Sequence, residues 1–100
     1  MKVTITKNED KLEVFVSERL DTNTAPQLEA ELTANLDGVK YLTLDFKDLI
    51  YISSAGLRIL LVFHKTMVAR GGSFLVKHPN DEVLEILDMT GFSNFLNIEE

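Results

Sequence analysis

The residues best suited to chemistry lie in one short run, Ser53-Ser54-Ala55-Gly56-Leu57, which follows a predicted strand and opens a predicted helix. A serine there is a preferred helix cap, because its hydroxyl accepts hydrogen bonds from the free amides of the first turn. The same place suits a phosphoserine, since those amides and the positive end of the helix dipole stabilise a phosphate dianion. Gly56 would let the backbone approach such a group closely. These residue types leave both interpretations open, a structural cap and a phosphorylation site.

Two other kinds of chemistry do not fit this segment. A serine nucleophile on a sharp strand-to-helix turn needs glycine on both sides, but Ile52 precedes Ser54 where the first glycine belongs, and no Asp…His pair follows in the required order. A phosphate-accepting aspartate of the receiver type, with Asp45 or Asp48 as candidate, belongs to a fold that begins with a βα unit. This chain begins with a predicted hairpin, so we reject both interpretations.

Composition excludes most other functions. The chain has 100 residues and 45% hydrophobic content, which predicts one domain over residues 1–100. It contains no cysteine and only two histidines, His64 and His78, so it offers almost no material for thiol catalysis or a metal centre. The net charge of −6 argues against nucleic acid as a partner. No segment approaches the roughly 20 apolar residues of a membrane span. We expect a cytoplasmic protein without metal or cofactor.

The elements that must position the serines follow from hydrophobic periodicity. Apolar residues alternate with polar ones across a turn at Asn8-Glu9-Asp10, which predicts a β-hairpin. Thr24 and Gln27 form a candidate capping box at the start of the first helix. The predicted segments after the hairpin are a polar connection (17–23), a helix (24–38), a strand (41–46), a loop (47–51), a central helix (53–70), a strand (73–77), a helix capped by Asn80 or Asp81 and a last extended segment (92–98).

This order, β-β-α-β-α-β-α-β, predicts an α/β fold with a mixed sheet whose later strands are parallel. In the strand 41–46, Thr43 and Asp45 alternate with Leu42, Leu44 and Phe46. A strand covered by helices on both faces would be apolar throughout. We therefore expect the helices mainly on one face of the sheet.

Three segments of the chain resemble the STAS domains of the anti-sigma factor antagonist family. The run 44–58, Leu-Asp-Phe-Lys-Asp-Leu-Ile-Tyr-Ile-Ser-Ser-Ala-Gly-Leu-Arg, is similar to the central motif, in which a strand ending in an acidic residue leads to an Asp-Ser-[Ser/Thr]-Gly-Leu helix start. Arg19-Leu20-Asp21 with Thr24-Ala25-Pro26 resembles the family's loop and first helix, and the run from Thr90-Gly91-Phe92 to Ile98 resembles its closing segment. The resemblance covers essentially the whole chain.

By position, the resemblance makes Ser54 the regulatory phosphoserine and Ala55 the second hydroxyl residue of the motif. Ser53 replaces the motif's Asp and offers a second, less favoured hydroxyl for phosphorylation. Asp21 matches an acidic loop residue beside the phosphorylation site, and Glu18 stands where the family commonly has Gly.

The family implies an anti-sigma factor antagonist that is a binding module and not an enzyme. In its unphosphorylated form it would bind an anti-sigma factor of the serine protein kinase type, which supplies the ATP. Phosphorylation of Ser54 would release that partner and so regulate sigma-factor-dependent transcription, and a phosphatase would restore binding. The sequence does not indicate the oligomeric state. The expected partner-binding residues are Asp21, Ser53, Ser54, Gly56, Leu57 and Arg58.

Two alternatives remain open. Ser53 in place of the motif Asp favours a phosphorylation-independent STAS adaptor in another regulatory or envelope-transport system. A small enzyme that uses Ser54 and Asp21 is the other alternative, and the lack of a base beside them disfavours it.

Overall fold

The computed structural model describes residues 1–100. Its main element is a five-stranded β-sheet. Its strands are β1 (Val3–Asn8), β2 (Lys11–Val16), β4 (Tyr41–Asp45), β6 (Ser73–Lys77) and β7 (Asn97–Glu99), in the spatial order β1-β2-β4-β6-β7. Three helices connect them: α1 (Ala25–Asn35), α2 (Ser54–Ala69) and α3 (Asp81–Met89). The predicted element order and the mixed sheet are confirmed.

The strand pairing follows from the lengths of the connections. The tight turn at Asn8–Lys11 makes β1 and β2 an antiparallel hairpin, and Glu9 adopts φ 59° within it. The longer crossovers that carry α1, α2 and α3 make β2, β4, β6 and β7 parallel to one another. The carboxyl ends of β2, β4 and β6 therefore meet at one edge of the sheet.

Alternation along the strands separates a buried face from an open one. Leu42 and Leu44 are fully buried with the apolar side chains of the helices. On the opposite parity, Tyr41 is 50% exposed and Phe15 of the paired strand is 40% exposed. The helices therefore cover mainly one face, as the alternating pattern predicts.

Two short strands were not predicted. β3 (Glu18–Leu20) lies in the segment expected to be a polar connection, and β5 (Leu49–Ile52) begins in the segment expected to be a loop and extends one residue beyond it. They pair in parallel as a separate two-stranded sheet, with Leu20 opposite Ile52. Each has too few residues for a periodic signal, and polar side chains dominate β3. We refer to this pair as the β3–β5 ribbon.

Of the predicted helix caps, the one at α3 is confirmed and the one at α1 is wrong. Asn80 caps α3, since its side chain accepts from the Val83 amide at 2.8 Å. Thr24 makes no capping bond at α1. Its hydroxyl donates to the carbonyl of Arg19 at 2.7 Å and accepts from the amide of Asp21 at 2.9 Å, so it holds the preceding loop and not the helix.

Arg70 binds carbonyl groups at the carboxyl end of α1. Its Nη1 donates to the carbonyl oxygens of Leu36 at 2.7 Å and Val39 at 3.1 Å. These carbonyls lie just beyond the carboxyl end of α1, so Arg70 bonds there in addition to lying at the negative end of its own helix.

The chain end is not wholly extended, because a 3₁₀ turn over Phe92–Asn94 precedes β7. Phe92 packs against the core, whereas Phe95 is exposed and its ring centroid lies 4.9 Å from that of His64 on α2. His64 is half-buried beside the core, in the position that the apolar surroundings predict. None of the helices combines the length and apolar character needed to cross a membrane.

Candidate phosphorylation and partner-binding site

The two serines at the start of α2 lie in different environments. Ser54 is the first residue of the 16-residue helix and is exposed. Ser53 precedes it in extended conformation, with φ −100° and ψ 178°, and its hydroxyl is buried without a hydrogen-bond partner. Neither serine makes a side-chain capping bond, so the structural-cap interpretation is not realised. The helix start thus combines an exposed hydroxyl with first-turn amides that no side chain caps.

The β3–β5 ribbon determines where α2 begins. The amide of Ser53 donates to the carbonyl oxygen of Leu20 at 2.9 Å, which extends the ribbon's ladder by one bond. The amide of Leu57 then donates to the carbonyl of Ser53 at 2.9 Å and begins the helical pattern. The last bond of the ribbon is therefore made by the residue immediately before the helix.

Gly56 allows this junction to form. The residue is buried, and a methyl group added to it would lie 2.7 Å from Ile52 Cγ1 and 2.8 Å from Leu20 Cγ. Any larger residue would push the helix away from the ribbon. The glycine is needed for close approach of the protein's own side chains, which differs from the expected role of admitting a phosphate.

Asp21 organises the loop that follows β3. Its Oδ1 accepts from the backbone amides of Asn23 at 3.0 Å and Thr24 at 3.1 Å, and Arg19 Nε lies 3.6 Å from Oδ2. Desolvation raises the pKa of Asp21, but the hydrogen bonds from Thr24 and Asn23 and the charge of Arg19 outweigh it. The pKa of Asp21 is therefore lower than its ordinary value, and its carboxylate is ionised at neutral pH.

Arg58 lies one helical turn after Ser54. Its Nη2 is 3.8 Å from Glu29 Oε1 of α1, and the two side chains are 62% and 40% exposed. An exposed pair at this distance contributes little stability. The guanidinium is therefore free to exchange partners at small cost.

The predicted site residues divide into two groups. Ser54 and Arg58 are exposed, and Asp21 is joined to the start of α2 through its neighbour Leu20 and the Leu20–Ser53 bond. Gly56 and Leu57 are buried, so they position the site without presenting side chains on its surface.

The stacking of Arg19 on Tyr51 beside this junction was not predicted from the sequence. The Arg19 guanidinium lies 4.4 Å from the ring centroid of Tyr51. These residues face each other only because β3 pairs with β5, and neither strand was predicted. The alternation of Tyr51 with buried Ile52 was the one available signal.

Asp45, the rejected phosphate-accepting candidate, has a structural role. It is 5% exposed, accepts from the Lys47 amide at 2.9 Å and lies 3.2 Å from His78 Nδ1. It therefore ties the ends of β4 and β6 together. No group of three or more His, Asp or Glu side chains could hold a metal ion.

Comparison with known proteins identifies the family. Residues 2–100 match the STAS domain family. The chain is 36% identical over 93 residues to a Bordetella bronchiseptica protein named as an anti-sigma factor antagonist, BtrV, covering 92% of this chain and 80% of the relative. It is 24% identical over 98 residues to the anti-sigma-B factor antagonist of Bacillus subtilis, covering 98% of this chain and 90% of that one.

The fold is that of a solved Bacillus protein. The anti-sigma factor antagonist SpoIIAA in its unphosphorylated form superposes with a TM-score of 0.80 at 14% identity, over 99% of this chain and 88% of that chain. Its phosphorylated form superposes with a TM-score of 0.78, over 99% and 92% of the two chains. The matched domain and the relatives agree on one assignment: the chain belongs to the STAS domain family, and its anti-sigma factor antagonist members are regulatory binding proteins and not enzymes.

Proposed function

We propose that this protein is a cytoplasmic anti-sigma factor antagonist controlled by phosphorylation of Ser54. The unphosphorylated form binds an anti-sigma factor that is also a serine kinase, and the bound anti-sigma factor no longer holds its sigma factor. Phosphorylation of Ser54 by that kinase ends the interaction, and a phosphatase restores it. The names of the relatives support the partner class, and SpoIIAA exists in both phosphorylation states.

One observation carries the proposal: the exposed Ser54 hydroxyl lies at the start of a 16-residue helix whose first-turn amides have no side-chain cap. These amides and the helix dipole would stabilise a phosphate on Ser54. The Ser53 hydroxyl is buried, so a kinase would have to disrupt the junction to reach it. Ser54 is therefore the acceptor that the geometry favours.

A phosphate on Ser54 changes the surface by charge. It adds about two negative charges at neutral pH. The Asp21 carboxylate, which is also ionised, belongs to the loop joined to the same junction. Because the helix start tolerates the phosphate, the domain stays folded while its partner surface becomes strongly acidic. Binding is then lost through charge repulsion and desolvation of the phosphate.

A second function remains a candidate because Ser53 replaces the motif's Asp. The Ser53 hydroxyl has no partner, whereas a carboxylate at this position would add charge beside the acceptor. A chain without that charge suits a phosphorylation-independent STAS adaptor. In that case, the same junction would bind a partner constitutively.

The experiment combines a kinase assay with a binding assay. The protein is incubated with ATP and the kinase-like anti-sigma factor from its own genome, and phosphate is located by mass spectrometry. We expect phosphate on Ser54, none in Ser54→Ala, and unchanged phosphorylation in the matched control Ser53→Ala. Calorimetry should show tight binding for Ser54→Ala and greatly weakened binding for Ser54→Asp. Equal affinities of these two variants would refute the switch and favour the constitutive adaptor.

A further inference from the structure

The outward face of α2 continues from Ser54 along the length of the helix. Side chains that recur every three or four residues share one face of a helix. Starting from Ser54, this face carries two basic and two apolar residues, and none of the four is fully buried. We call Ser54 together with these four residues the α2 stripe: Ser54, Arg58, Leu61, Lys65 and Val68.

The charge of the α2 stripe differs from that of the rest of the protein. The chain contains 16 acidic residues and carries a net charge of −6, but α2 contains no Asp or Glu. Arg58 and Lys65 are exposed, and Glu29 of α1 is the only carboxylate within ion-pair distance of either. The α2 stripe is therefore a basic surface on an otherwise acidic domain, and electrostatic complementarity favours an acidic partner there.

The two apolar residues of the stripe are both accessible to a partner, to different degrees. Val68 is 61% exposed and Leu61 is half-buried. Along one side, Phe95 is 39% exposed, and its ring centroid lies 4.9 Å from that of His64, one turn before Val68, with the two rings tilted by 54°. Apolar positions that alternate with basic ones every three or four residues match the surface that an amphipathic helix requires.

We propose that the α2 stripe docks an acidic amphipathic helix of the partner, a statement that rests on the function proposed above. The stripe spans 14 residue steps, about 21 Å of helix. An antiparallel or parallel helix of about four turns would place its apolar side chains on Leu61 and Val68 and its carboxylates beside Arg58 and Lys65. The anti-sigma factor would thus be recognised along the whole of α2 and not only at its start.

The spacing of Ser54 and Arg58 indicates how phosphorylation would affect the docked helix. Ser54 and Arg58 are four residues apart on one helix face, the spacing at which side chains pair. A phosphate on Ser54 would draw Arg58 away from Glu29, because the present pair is long and exposed. The stripe then loses one of its two cations to an internal pair. An acidic helix meets a surplus of negative charge at the end of the stripe.

The test uses a synthetic helical peptide of four turns, with Leu at the positions facing Leu61 and Val68 and Glu at those facing Arg58 and Lys65. Binding is followed by amide chemical shifts of the ¹⁵N-labelled protein. We expect the perturbed amides to follow residues 58–68, and Lys65→Glu to weaken binding by about tenfold through like-charge repulsion.

Controls separate the stripe from general electrostatics. Lys11→Glu makes the same charge change on β2, where Lys11 is exposed on the sheet face opposite the helices, and we expect less than about a twofold effect from it, because salt screens exposed charges at distance. A peptide with Lys in place of Glu should bind Lys65→Glu better than the unaltered protein. Perturbed amides outside α2, no perturbation at all, or equal losses from the two lysine variants would overturn the inference.

Binding and phosphorylation measurements with the anti-sigma kinase distinguish this inference from the proposed function. A kinase that phosphorylates Ser54 and binds Lys65→Glu with undiminished affinity overturns the docking stripe and leaves the switch intact. Peptide binding along α2 without any phosphorylation of Ser54 supports the stripe and refutes the switch.

Discussion

Replacing Gly56 by alanine tests whether the start of α2 is held against the β3–β5 ribbon. The new methyl group would lie 2.7 Å from Ile52 Cγ1, 2.8 Å from Leu20 Cγ and 3.0 Å from the Leu20 carbonyl oxygen. Contacts this short cannot persist, so atoms must move. The Leu20 carbonyl is held by its bond to the Ser53 amide, and Leu20 and Ile52 are 0% and 1% exposed, which leaves them little room to yield.

Two effects of opposite sign set the magnitude. Alanine favours a helix interior over glycine by about 1 kcal/mol, and by less in the first turn. Forcing an additional methyl group into a well-packed core lowers the free energy of unfolding by about 1–3 kcal/mol. We therefore expect the free energy of unfolding of Gly56→Ala to fall by about 1–2 kcal/mol, which for a domain of this size lowers Tm by roughly 4–8 °C for each kcal/mol.

Urea denaturation followed by circular dichroism measures the change, and two variants control it. Ser54→Ala, in the same helical turn but exposed, should leave stability within about 0.5 kcal/mol. In a Leu20→Ala background, Gly56→Ala should cost less, because one of the crowded atoms has been removed. A Gly56→Ala protein as stable as the unaltered one would refute the close junction between α2 and the ribbon.

Three further substitutions test separate contacts. Arg70→Gln removes a charged donor from two carbonyls beyond the end of α1 and should cost about 1–2 kcal/mol in urea denaturation, whereas Lys65→Gln, which loses the same charge, should cost almost nothing. Glu18→Gly should raise stability by about 0.5 kcal/mol, because Glu18 has φ 69°, a conformation costly for residues other than glycine; Glu18→Ala keeps that strain and should give no gain. Asp21→Asn tests the lowered pKa of Asp21: ionisation stabilises the fold above the ordinary pKa of 3.8 and is lost as pH falls through the lower folded value. The stability difference between Asp21→Asn and the unaltered protein should be flat near neutral pH and shrink in strong acid, and a difference that grows there would contradict the reasoning.

Elements with a long periodic pattern could be predicted from the sequence. The alternation of Leu12, Val14 and Val16 predicted a strand, and the strand and turn signals together predicted the mixed sheet. Asn80 could be identified as a helix cap because its amide oxygen suits that position in any context. In these segments local preference and tertiary packing favour the same conformation.

The ribbon and its consequences could not be predicted, because they depend on pairing between distant segments. Three residues in β3 and four in β5 carry no periodic signal, and their pairing alone brings Leu20 against Gly56. Likewise, Thr24 has a good capping side chain, but the Arg19 carbonyl and the Asp21 amide compete for it successfully. Glu18 stood where the family commonly has Gly, and only the structure gives the physical reason, its positive φ.

The bond between Ser53 and Leu20 has a consequence for any enzyme that modifies Ser54. Many acceptor serines lie in flexible segments that a kinase can draw into its cleft as an extended strand. Here the acceptor follows a residue that is hydrogen-bonded to β3 and begins a helix packed on the core. A kinase acting on it has to dock against a folded surface, and a free peptide copied from residues 48–58 would lack β3 and should be a poor substrate. Substrate selection therefore depends on the shape of the intact domain, which makes the local sequence around Ser54 a weak guide to its kinase.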